Sequence, residues 1–169
     1  MKLTPFSTLL ISTCMLAIST SVFAKEETVA ATEKPQMVIE NTSTKDFATT
    51  LEAVKAELQD DKWNIISELN IGKRLKKKGV DVPGGIVLLQ ITSGKNTVPL
   101  LKKDETRYIT AFMPCTVSVY GMSDGSVRIS RMNAPALAQM MEPEVAAVMS
   151  KGFSKLDATL EKAMAKLEK

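Results

Sequence analysis

The stretch YITAFMPCTVSVYGMSDGSVRISRMN, residues 108–133, decides the architecture. Met113, Cys115, Val117 and Val119 alternate with Pro114, Thr116, Ser118 and Tyr120, so one face is apolar and the other polar, as a half-buried strand requires. Ser123-Asp124-Gly125 supplies turn chemistry, and Val127, Ile129 and Arg131 continue the inner face on a returning strand. With Gly125 left-handed in a three-residue turn, Val119 faces Ile129, Val117 faces Arg131 and Cys115 faces Asn133. A register moved by one pair would instead set Arg131 opposite Cys115.

Outward from this hairpin, residues 107–112 read as its entry into the sheet, and Pro114, lacking a backbone donor, predicts a bulge or an edge position. Upstream, the run IVLLQI at residues 86–91 is nearly continuous in apolar residues and predicts a strand covered on both faces. It follows a Pro83-Gly84-Gly85 turn. Residues 93–104 read as a connection with a helical turn near Pro99. Residues 63–69 read as another strand, followed at 71–78 by a short basic helical turn closed by Gly79. Lys73, Arg74, Lys76, Lys77 and Lys78 on that turn could attract an anionic lipid, a polyanion or an acidic protein, but such a run is more often a solvated face.

Phe47, Leu51, Val54 and Leu58 fall on one stripe of a helix over residues 44–60, with Ser43-x-x-Asp46 as its cap and Lys45, Glu52, Lys55 and Glu57 on the solvated side. A first strand precedes it at residues 37–40. The longest helix starts near Pro143, which suits a first helical position. It carries Val145, Val148, Met149, Leu156, Leu160, Met164 and Leu167 at helical spacing. The fold class is therefore α+β, a single domain over residues 43–169 preceded by a polar lead-in and first strand at 25–42.

Residues 1–24 read as a cleaved secretory signal peptide: Lys2, an apolar run broken by Ser12, Thr13, Ser19, Thr20 and Ser21, then Val22 and Ala24 before the cut. The expectation is export to the periplasm with no transmembrane segment left after cleavage. Cys14 departs with the leader, which leaves Cys115 as a lone thiol with no intramolecular disulfide partner. Loss of Lys2 lowers the formal net charge of +3 by one, a weak basicity that predicts no nucleic-acid partner. The chain has no histidine, which excludes Ser-His-Asp and Cys-His catalysis and imidazole-ligated zinc. Neither a catalytic nor a cofactor motif stands out, and the carboxylates are scattered without a recognisable pair.

The order of pieces resembles the bacterial family called domain of unknown function 302. The residues that carry the likeness are the Gly79-bounded turn, the Met113-Pro114-Cys115 triplet, the hairpin with Tyr120 and Asp124-Gly125, and Ser130-Arg131-Met132-Asn133 ahead of a Met-rich segment and Glu144-Val145. The resemblance implies a curved antiparallel sheet with two main helices, similar to the TATA-binding-protein-like class, and assembly as a homodimer. It implies no activity.

Four residues are the site candidates: Cys115, Arg131, Met113 and Asn133. If the Arg131 guanidinium reaches Cys115 it stabilises the thiolate and depresses the thiol pKa. The bland alternative is a buried, inert Cys115. Cys115 with Met113, Met132, Met140 or Met141 could hold a soft metal, although no tight motif is present. An apolar pocket between sheet and helices could take a small apolar or anionic ligand, with Met140 and Met141 as an adaptable rim or a dimer contact. The sequence thus supports an exported non-catalytic binding or accessory module, with a thiol-dependent redox or detoxification protein using Cys115 as the alternative.

Overall fold

A computed structural model describes residues 37–168. The expected leader and most of the lead-in lie outside the described residues. Five strands form one open, wholly antiparallel sheet: β1 (Val38–Ser43), β2 (Asn64–Asn70), β3 (Ile86–Thr92), β4 (Cys115–Gly121) and β5 (Val127–Met132), in the order β1-β5-β4-β3-β2. The helices are α1 (Phe47–Asp60), α2 (Ile71–Lys76), α3 (Gly94–Leu101), α4 (Ala134–Ala138) and α5 (Pro143–Leu167), with a 3-10 segment at Asp104–Phe112. The α+β class with an antiparallel sheet and two long helices stands as expected.

The hairpin register follows from residue parity. Val117 pairs with Arg131 and Val119 with Ile129, and Gly125 takes φ +85 in the turn. Val117, Val119, Val127 and Ile129 are buried, and with Val87, Leu89 and Ile91 of β3 they form the inner face. Onto it pack Leu51, Val54 and Leu58 of α1 and Val145, Met149, Phe153, Leu156 and Leu160 of α5. Each such side chain contributes about 1.5–3 kcal/mol when fully buried.

Several expectations are corrected. Residues 107–112 belong to the 3-10 segment, not to a strand: Thr106 and Ile109 are buried three residues apart, the spacing that eclipses side chains on a 3-10 helix. β4 lies in the middle of the sheet, so Pro114 is neither at an edge nor in a bulge; it precedes the first strand residue, where no ladder hydrogen bond is required of it. β3 alternates buried and half-buried residues, so only its helix-side face is fully covered.

α1 begins at Phe47, with Asp46 as its cap: its carboxylate accepts from the Thr49 N–H at 3.0 Å and the Thr49 hydroxyl at 2.6 Å. Ser43 instead ends β1, its hydroxyl 2.9 Å from that of Thr50. Glu57, expected in solvent, is buried and paired with Lys166 of α5, because α5 covers that flank of α1. Gly121 and the Pro83-Gly84-Gly85 turn meet backbone to backbone; a Cβ on Gly121 would lie 2.6 Å from the Gly84 Cα and 2.7 Å from the Pro83 carbonyl oxygen.

Candidate functional site

Where α5 crosses the far end of β3 and β4 it leaves a narrow slot. Its volume is about 50 Å³, room for a few water-sized groups and not for a drug-sized molecule. Ile91 and Cys115, directly paired across β3 and β4, lie at its base. Met149, Phe153 and Leu156 of α5, Leu100 of α3 and Trp63 complete an almost wholly apolar wall. Gly152 also borders the slot.

Trp63, the single tryptophan of the chain, is held in place by its polar edge. Its Nε1–H donates to the Thr159 hydroxyl at 3.2 Å, and that hydroxyl donates onward to Asp61 Oδ2 at 2.8 Å, with the Lys155 carbonyl 2.9 Å away as the alternative acceptor. Lys155 Nζ stands 5.2 Å from the ring centroid, within cation–π range. Lys162 pairs with Asp61 at 2.8 Å. The Lys162 ammonium, followed by the Thr159 hydroxyl, holds the Asp61 carboxyl below its usual value.

Cys115 is half-buried and has no disulfide. Burial alone raises its thiol pKa above 9.0. The expected depression by Arg131 is therefore corrected. Arg131 does share the inner face with Cys115, but its guanidinium is committed elsewhere: Nε donates to Asp157 Oδ1 of α5 at 2.5 Å and Nη1 to Asn41 Oδ1 of β1 at 2.6 Å. A cation only 6% exposed needs such a counter-charge. Asp157 was not singled out in the sequence, although it adjoins Leu156 at the margin of the buried stripe of α5 and so stands within reach of an inward-facing cation.

The remaining candidates divide among different surroundings. Met113 joins Cys115 on the slot. Asn133 does not line it, and instead caps α4 by accepting from the Ala136 N–H at 3.3 Å. Met132 lines a broad, open cleft with Met37, Val38 and the outer-face residues Ser118 and Ser130. Met140 and Met141 border a third cleft with Tyr108 and Leu137. Of the methionines proposed as soft-metal ligands, Met113 alone lines the slot with Cys115; it also borders the second cleft with Met132, and Met140 and Met141 lie on the third. Among the described residues, no three His, Cys, Asp or Glu side chains cluster as a metal site, and no helix is long and apolar enough to cross a membrane.

Two comparisons bear on this arrangement. The family model described as domain of unknown function DUF302 matches residues 39–167. The crystal structure of an uncharacterized conserved DUF302 protein from Bacillus stearothermophilus superposes with a TM-score of 0.68 at 19% identity, over 76% of this chain and 98% of that one. At that identity the likeness concerns the fold. No curated protein matches the chain.

Proposed function

This chain belongs to the family of the domain of unknown function DUF302, and from that premise we propose that it is a non-catalytic binding or accessory module whose slot beneath α5 takes a small apolar ligand. One observation carries the reading. A packed α/β layer leaves few voids, yet here a slot stays partly empty between α5 and the sheet, walled by Trp63, Leu100, Phe153 and Leu156. The wall is apolar, so desolvating an alkyl or aryl group is the chemistry it offers. Met113 and Met149, unbranched and adaptable, allow it to widen around a slender ligand.

The redox alternative at Cys115 has less support. Its thiol is driven toward the protonated form by burial, whereas the thiolate is the nucleophile. Export to the periplasm rests on the leader-like residues 1–24. Homodimer formation rests on exposed Met140 (74%) and Tyr108 (47%) beside the third cleft.

Trp63 makes the slot observable. Titration with n-alkyl alcohols of increasing length should change its fluorescence saturably, and Gly152→Leu, which adds bulk at the slot's border, should abolish the response. Cys115→Ala, which enlarges it, should retain the response. A signal linear in alcohol, or one indifferent to Gly152→Leu, would refute the assignment.

A further inference from the structure

The basic loop after β2 is a strongly charged feature that the slot does not absorb. Lys73, Arg74, Lys76, Lys77 and Lys78 are all exposed. Among the described residues seven ion pairs form, and none of these five cations takes part. Lysines elsewhere on the surface, such as Lys55, Lys103 and Lys162, do find carboxylates. The strand register places this loop with two other exposed features. Asn70 pairs with Val87, Ile86 with Tyr120, and Gly121 and Ser43 each with Val127. The basic loop, the β4–β5 turn and the β1–α1 link therefore share one end of the sheet. At that end Val80 is 49% and Met122 37% exposed, and Lys45 adds a sixth exposed cation, so six cations outnumber the three exposed carboxylates there, Asp46, Asp81 and Asp124. The slot, with Trp63, Ser93 and Cys115, lies at the opposite end, about one strand length or roughly 20 Å away.

We propose that this end of the sheet is a docking surface for an anionic lipid bilayer, with the five cations of the α2 loop bound to headgroups and Val80 and Met122 set among them. Charge complementarity favours a lipid surface, because cations so close in sequence act together within a Debye length of about 8 Å at physiological salt. The two exposed apolar side chains fit the boundary between headgroups and acyl chains. Docking in this way holds the slot away from the membrane. The inference stands independently of what the slot binds.

The test is co-sedimentation of the protein, as isolated from its producing cells, with phosphatidylcholine vesicles and with vesicles containing about 30% phosphatidylglycerol, at about 0.1 M and about 1 M salt. The expected result is preferential binding to the anionic vesicles, lost at high salt. Each cation near such a surface is worth about a fivefold change in affinity, so K76Q/K77Q/K78Q should weaken binding about a hundredfold while leaving the urea unfolding curve unchanged. Val80→Ser should weaken it a few-fold with the same salt dependence. Equal binding to both vesicle types, or an unaffected triple variant, would overturn the proposal. So would binding to heparin or an acidic protein with no binding to anionic vesicles, which would assign the patch to a soluble polyanion.

Discussion

Removing Asp157 tests the buried polar contact that ties α5 to the sheet. Arg131 is 6% exposed, and Asp157→Ala would leave its Nε without the acceptor now 2.5 Å away, while Nη1 keeps Asn41. Stripping the partner from a buried ion pair costs about 3–5 kcal/mol. The Asp157 side chain is 26% exposed, so water can enter the space it vacates and recover part of that loss. The expected destabilisation is about 2–3 kcal/mol, which at a urea m-value of about 1–3 kcal/mol per molar moves the unfolding midpoint down by roughly 1 M or more. Arg131→Met with Asp157→Leu removes both charges and restores apolar volume. The pair should return to within about 1 kcal/mol of the unaltered protein. Urea titration of Arg131→Met, Asp157→Leu and the double variant closes the cycle. A loss below about 0.5 kcal/mol for Asp157→Ala, or a double variant as unstable as the sum of the singles, would refute the claim that the pair is buried and coupled.

Gly121→Ala should destabilise by about 2–3 kcal/mol in urea unfolding, because its Cβ meets backbone of the Pro83–Gly84 turn; Gly94→Ala, with nothing within 4 Å, should stay within about 0.5 kcal/mol. Iodoacetamide labelling of Cys115 should rise with pH along a curve displaced above that of a free thiol. Because the folded thiol pKa is raised, its contribution to stability is present below pH 9.0 and is lost as pH climbs through the folded value. Asp61 behaves oppositely: with its folded pKa lowered from 3.8, its contribution is present above 3.8 and is lost as pH falls through the folded value. Asp61→Asn should therefore flatten the acid limb of a urea-midpoint profile, and an unchanged limb would contradict the Lys162 and Thr159 contacts.

The hairpin was legible because strand parity is a local property: once the 123–125 turn is recognised, Val119 must face Ile129 and Arg131 must point inward. The stripes of α1 and α5 were legible for the same reason. What the sequence hid depends on partners distant in the chain. Tyr108, Ile109, Thr110 and Phe112 are strand-favouring residue types, and only the burial of Thr106 and Ile109 against the core selects a 3-10 segment. Glu57 looked solvated because nothing local announces Lys166. At the site, Cys115 and Met113 border the slot together. Trp63, Gly152 and Phe153 reach the slot only through tertiary packing. The buried Arg131 was itself a signal that an anion must lie nearby.

The central claim is that the slot beneath α5 binds a small apolar molecule. Mass spectrometry of the protein purified from its own host, under native and then denaturing conditions, addresses it most directly. The account predicts a native mass above an integral multiple of the chain by one small molecule per chain, released on denaturation. A bare chain under native conditions would contradict it, and extra mass retained after denaturation and mapped to Cys115 would favour thiol chemistry instead.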